Sequence, residues 1–307
     1  MNQRVVRGQT KSAIAALLKR NEITRLGRGL YVWGQPTPLG LLSGLHAEFP
    51  WLFASGLTAA QLLLNEPLTF PLHLAGLGAL PPSSFYSFTR TTIDSTLSVS
   101  TYRVLNPLVA LSTVDVELAK KVFEHIYSSK KGRSRLEAHR AALKQIPTRT
   151  QKILSSAALF TDSGAEIMVA RELTTRGLNV ECNVRIGRYY WDIVLPDLKV
   201  AVEINSFEYH SAGQEWIRDH WKNNEAVLTG WCTLRYTGHC VAHHLNYVID
   251  QITHAAEPDF DKRYYSWVGY WHKGAQPPPL KPWEQPGYEH WAPLSTTPPD
   301  GHEGPTA

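Results

Sequence analysis

Apolar residues recur at helical spacing over residues 10–20, where Ile14, Leu17 and Leu18 share a stripe behind Thr10, a natural N-cap. Residues 22–33 then alternate apolar and polar positions, and Gly27 and Gly29 let the chain turn, so a short helix leads into a hairpin. Residues 36–112 mix apolar runs with Gly and Pro; a helix over 55–64 and strands over 70–77 and 97–104 are the elements that stand out. Helix is expected again over 107–131, followed by an exposed basic loop around Gly132 and a second helix from 134 to 145. From 163 onward the pattern sharpens: a helix ending before Gly177, a strand over 179–184, two strands within 191–205, a helix over 211–229, a strand over 231–236 and a closing helix over 241–252. The apolar side of the 211–229 helix is read as Trp216, Ile217, Val227 and Leu228. This order predicts an α/β mixed sheet flanked by helices.

The run 191–205 has two β-branched-rich strands around Pro196-Asp197. A two-residue turn there sets Asp192 across from Ala201 with Glu203 as its diagonal neighbour, roughly 7 Å away. Side-chain alternation puts Asp192, Glu203 and Asn205 on one face and Trp191, Ile193 and Leu195 on the other. Two acids so placed can hold a divalent cation between them. Glu166 adds a third carboxylate on the inward stripe of its helix; Ser163-x-x-Glu166 is also a capping box, and both roles are open.

Charge is uneven. Residues 1–34 hold seven Lys and Arg against Glu22, and residues 118–152 hold ten against Glu124 and Glu137, so the remainder of this +4 chain is net acidic. The basic segments offer Lys11, Lys19, Arg20, Arg25 and Arg28 at one surface and Lys130, Lys131, Arg133 and Arg135 at another for contact with nucleic-acid phosphates. Cys182, Cys232 and Cys240 are too few for a disulfide framework, no apolar run is long enough for a membrane span, and a cytoplasmic protein is expected. His239-Cys240-x-x-His243-His244 carries zinc-type ligands, but a closed site needs four in tetrahedral geometry, and this run leads into a helix with only Cys182 and Cys232 as distant thiol partners. The tail from 257 is rich in Pro and aromatic residues; Tyr264, Tyr265, Trp267, Tyr270 and Trp271 are expected to dock on the rest of the chain or on a protein partner.

Two segments resemble known families. Leu26-Gly-Arg28-Gly-Leu-Tyr31 after a short helix resembles the winged-helix module of AbiEi-type antitoxins. Glu166, Asp192 in Trp-Asp-Ile-Val-Leu-Pro-Asp, Glu203 in Ala-Val-Glu-Ile-Asn, His210, Arg218-Asp219 and Gly230 to Arg235 together resemble the PD-(D/E)XK nucleases, in particular domains related to the very short patch repair (Vsr) endonuclease. The implied organisation is a winged-helix-like α+β region over 1–35, an intermediate region over 36–154, a restriction-endonuclease-like domain over 155–256 and the tail. The implied function is Mg2+- or Mn2+-dependent hydrolysis of DNA, in phage defence or repair. Asp192 and Glu203, with Glu166, would hold the metal, while Asn205 and His210 would orient water or the leaving group. Asn205 stands where the Glu-x-Lys pattern has its last member, and an amide cannot take a proton from water. Asn223 likewise replaces an expected carboxylate. The competing expectation is therefore a DNA-binding regulator of antitoxin type that keeps the nuclease fold as a scaffold.

Overall fold

Thr10 accepts the Ala13 N–H through Oγ1 and starts α1 (Lys11–Lys19), whose Leu17 is buried with Val6 and Ile23. The expected hairpin comes next as β1 (Ile23–Gly27) and β2 (Leu30–Trp33), antiparallel, with Gly29 at φ +73° in its turn. The computed structural model describes residues 3–205 and 213–255, so His210 and the tail from 257 lie outside the described residues. Leu26, Leu30 and Val32 of the hairpin bury against Leu41, Leu42 and Leu45 of α2 (Pro38–Glu48) and against Leu52, Leu72 and Leu74. The small N-terminal region thus shares its core with the segment after it.

A five-stranded mixed sheet occupies the stretch that the sequence pattern resolved least. It comprises β3 (Leu52–Ala54), β4 (Leu72–Gly76), β5 (Tyr86–Arg90), β6 (Thr96–Val99) and β7 (Tyr102–Leu105), in the order β5-β4-β3-β7-β6, with α3 (Gly56–Leu63) between β3 and β4. The β4/β5 and β3/β7 pairs are parallel and the other two antiparallel. The single strand expected over 97–104 is a hairpin, because Ser100 at φ +53° folds Thr96–Val99 back on Tyr102–Leu105.

The helix expected over 107–131 is also divided. After α4 (Pro107–Ala110) and a 3-10 turn, Val114 is extended and Asp115 Oδ1 accepts the N–H groups of Glu117 and Leu118, restarting the chain as α5 (Val116–Ile126). The expected basic loop is instead the first turns of α6 (Ser129–Ala141). Gly132 is buried there, and a Cβ on it would lie 1.9 Å from the Tyr127 carbonyl oxygen. Close approach of two backbones, rather than freedom of the chain, explains that glycine. A short α7 (Thr148–Ser155) completes this helical layer.

The remaining described residues run α8 (Gly164–Thr175), β8 (Glu181–Ile186), β9 (Tyr189–Leu195), β10 (Val200–Asn205), α9 (Gly213–Leu228), β11 (Cys232–Thr237) and α10 (Gly238–His254). This is the expected order of helix, strand, hairpin, helix, strand, helix. The sheet order is β11-β10-β9-β8, with β10 and β11 parallel and the other pairs antiparallel. Both faces of β9 and β10 are buried, Ile193, Leu195, Val200 and Val202 on one and Val194 and Ala201 on the other. Ala226 of α9 closes over Val194 and Ala201, whereas α8 and α10 pack against each other. The fold is therefore α/β with mixed sheets flanked by helices, and the described residues belong to one compact unit. Among them, no helix is long and apolar enough to cross a membrane.

Candidate active site

Four residues, not two, connect β9 to β10: Pro196–Leu198 form a 3-10 turn and Lys199 adopts a left-handed conformation at φ +51°. The register is Leu195 with Val200, Val194 with Ala201 and Ile193 with Val202. Two extra turn residues preserve the side-chain parity but slide the pairing by two. Asp192 thereby aligns with Glu203 itself instead of lying diagonal to it, which shortens the expected Cβ separation to about 5 Å. The ladder ends at this point. Asp192 Oδ2 takes the place of a main-chain acceptor and receives the Ile204 N–H at 2.7 Å. On the other flank, Asn183 sits opposite Asp192 with φ +53°, interrupting β8, and its amide donates to Phe160 O and Asp162 Oδ2. One expected alternation fails here: Trp191 joins Val194, Ala201 and Ala226 beneath α9.

Glu166 makes the helix cap, and its charge interacts with those of Asp192 and Glu203. Ser163 Oγ accepts the Glu166 N–H at 3.2 Å, and Glu166 Oε2 accepts the Asp162 N–H at 2.8 Å. Burial raises its carboxyl above the ordinary range, and the charges of Asp162 and Glu203 add to the rise. Asp192 is pushed up to about 7, first by burial and then by Glu203; the Ile204 hydrogen bond and Lys222 act in the opposite direction.

Lys222 was not visible in the sequence pattern. It projects from α9, is 6% exposed, pairs through Nζ with Glu203 Oε2, and lies 4.6 Å from the centroid of the Trp191 ring. Of the apolar side assigned to this helix, Ile217, Val227 and Leu228 are exposed and the Trp216 side chain lies outside the described residues, while Lys222 and Ala226 face inward. Helical spacing did carry a signal, since Asp219, Lys222, Asn223 and Ala226 fall on one stripe. Asp219 pairs with Arg235 at 2.8 Å, and Arg235 lies in register with Glu203 on β11. Asn223 Oδ1 accepts the Thr233 hydroxyl at 2.7 Å, tying α9 to β11; the amide in that position thus serves packing of the helix.

Asn205 ends β10 in register with Thr237. Among the basic candidates, Lys11, Lys19, Arg20, Arg25 and Arg28 are exposed on α1, its end and the β1–β2 hairpin, with Arg20 paired to Glu22. Arg133 is exposed but braces the fold, its Nη2 donating to Cys182 O at 2.8 Å and its guanidinium lying 4.4 Å from the Phe160 ring centroid. Arg135 donates to Ser128 O. The His239 and His243 rings lie 4.3 Å apart between centroids and tilted by 43°, and Cys240 contacts the Thr237 hydroxyl.

The helix that carries Glu166 is held from behind. Glu124 of α5, 3% exposed, accepts two hydrogen bonds from Arg171 of α8 and one from the Ala158 N–H, all within 2.9 Å. Arg171 also reaches Glu117, and these carboxylates raise its pKa. Glu124→Leu leaves the Ala158 N–H without an acceptor and Arg171 with Glu117 alone. Because Arg171 is 31% exposed, the expected cost is about 2–4 kcal/mol. A lowered urea midpoint with an unchanged slope would show it, and a shift of a few tenths of a kcal/mol would contradict this account.

Among the described residues, no three His, Cys, Asp or Glu side chains are drawn close enough to hold a metal by themselves. Mg2+ does not require such a cage, since it is commonly held by one or two carboxylates together with water and substrate phosphate. The donor set is suited to it: hard oxygen ligands, with Asp192 aligned to Glu203 and burial, then neighbouring charge, disfavouring ionisation of Asp192 and Glu166.

No family model matches the chain, and no curated protein matches it. Among solved structures, the Homing Endonuclease I-Bth0305I Catalytic Domain is similar over part of it. That likeness has 17% sequence identity and a TM-score of 0.27, and covers 36% of this chain and 98% of that domain.

Proposed function

We propose that the protein is a metal-dependent DNA endonuclease whose centre is built from Asp192, Glu203, Glu166 and Lys222. The observation that carries this reading is the meeting of Asp192 and Glu203 at the frayed end of one β-pair, with a buried ammonium on Glu203. Asp192 and Glu203 would hold Mg2+ or Mn2+, and Glu166 would contribute directly or through water. Such an ion supplies Lewis acidity toward a scissile phosphate. Lys222 provides the positive charge that the Glu-x-Lys pattern places two residues after its Glu, where this chain has Asn205. From α9 its ammonium can stabilise negative charge developing on the phosphoryl oxygens. Asn205 can orient a water by hydrogen bonds but leaves proton removal to another group. The α1 helix and β1–β2 hairpin, with their exposed Lys11, Lys19, Arg25 and Arg28, fit a reduced winged helix that adds affinity for the DNA backbone. Phage defence and DNA repair are both roles such an enzyme serves.

The test is nicking of a supercoiled plasmid. Cleavage is expected with Mg2+ or Mn2+ and none in excess EDTA. A purified protein that binds DNA without cutting it in either metal overturns the enzyme reading in favour of a regulator on a nuclease scaffold.

A further inference from the structure

Tyr190 lies two residues before Asp192 on β9, about 7 Å along the strand. Its ring is 42% exposed and carries the Lys130 ammonium 3.9 Å from its centroid. Arg185 is its cross-strand partner on β8, so both side chains project to the same side of the sheet. Arg185 Nε donates to Gly187 O, a contact that leaves its terminal nitrogens uncommitted. Lys131 is exposed beside Lys130. The first turn of α6 contains no acid, so both lysines sit at the end of a helix where its dipole opposes cations. Lys130, Lys131 and Arg185 make no ion pair among the described residues. Arg188, by contrast, is held by Glu225 of α9.

We infer that the first turn of α6 and the β8–β9 hairpin form one basic platform around Tyr190 that grips the phosphate backbone of the nucleic acid and leads it to Asp192. Neither element does this alone: α6 supplies Lys130 and Lys131, the hairpin supplies Arg185, and the Lys130–Tyr190 contact joins them. The platform excludes Arg133, which is committed to Cys182. It rests on the reading of DNA as substrate and names the surface that would hold it.

Fluorescence anisotropy of a short labelled duplex of mixed sequence, with the full chain in EDTA, tests the platform across a salt series. Each phosphate contact adds about 0.9 to the slope of log affinity against log salt. The triple variant Lys130→Gln, Lys131→Gln, Arg185→Gln is expected to lower that slope by about 3 and weaken binding on the order of tenfold or more at low salt. A control double variant at exposed positions of α7 and its approach, Lys144→Gln with Lys152→Gln, should leave the slope unchanged. An unchanged slope in the triple variant, or an equal fall in the control, overturns the platform. If circular dichroism shows that the triple variant does not fold, Arg185→Gln alone is measured, with an expected fall of about 1. Lost slope in a protein that never cuts DNA leaves the platform standing without the nuclease; metal-dependent cutting with an unchanged slope does the reverse.

Discussion

Asp192→Asn is expected to cut plasmid DNA on the order of a thousandfold more slowly than the native chain and, in EDTA at pH 8, to be the more stable of the two. The loss follows from removing a charged oxygen ligand. The gain follows from burial of a charge beside another acid. Asp192 is raised from 3.8 to about 7, chiefly by burial and then by Glu203, so the folded protein holds this proton more tightly than the unfolded chain does. Between those two pKa values the folded state binds more protons, and stability therefore falls as pH rises through the window. Above it the penalty is full, on the order of 4 kcal/mol at about 1.4 kcal/mol per pH unit. Asn keeps an oxygen for the Ile204 N–H and carries no charge, so its advantage should be present at pH 8 and absent near pH 4. Thermal melts at the two pH values read it directly. An equal difference between variant and native chain at both would mean that the carboxylate is not disfavoured in the fold. Mg2+ should recover stability for the native chain and much less for Asp192→Asn.

Lys222→Met has the opposite sign on stability and the same sign on activity. Methionine fits the slot under α9 and retains contact with Trp191, but Glu203 loses the ammonium that balances it. Removing one member of a buried ion pair costs about 3–5 kcal/mol, because the other charge remains buried. With Glu203 unpaired beside Asp192, a divalent cation has more to offer. Added Mg2+ is therefore expected to restore a larger share of the stability of Lys222→Met than it adds to the native chain. Nicking should nonetheless fall about a hundredfold or more, since a fixed positive charge near the phosphate is gone. Urea titrations with and without Mg2+, run beside the plasmid assay, separate the two effects. A variant that unfolds at the native midpoint and cuts at the native rate would remove Lys222 from the centre.

The C-terminal sheet was legible because its strands are β-branched runs bounded by turn residues and its helices carry clear stops, such as Gly177 at φ +83°. Alternation alone was sufficient to associate Asp192 with Glu203. Their direct alignment was not legible, since it depends on whether Lys199 enters the turn in a left-handed conformation. Lys222 stayed hidden for a different reason. Apolarity ordinarily marks the inner side of a helix, but α9 turns polar residues inward to serve the acids, leaving Ile217 and Leu228 outside. Gly132 misled in the same way, because a glycine that permits backbone contact and one that permits a loop look alike until the Tyr127 carbonyl is known. Of the five-stranded sheet, β4 was legible and the β6–β7 hairpin appeared as a single strand, whereas β3 and β5 escaped, because strands of three to five residues are too short for a period to declare itself.

Glu124 and Arg171 stand 47 positions apart in the chain and function as one hereditary character. Loss of Arg171 leaves Glu124 buried without its counter-ion, and loss of Glu124 leaves Arg171 with the exposed Glu117 alone, so drift at one position favours a matched change at the other. In descendants of this sequence that keep Glu166 in place, the two are expected to change together or not at all.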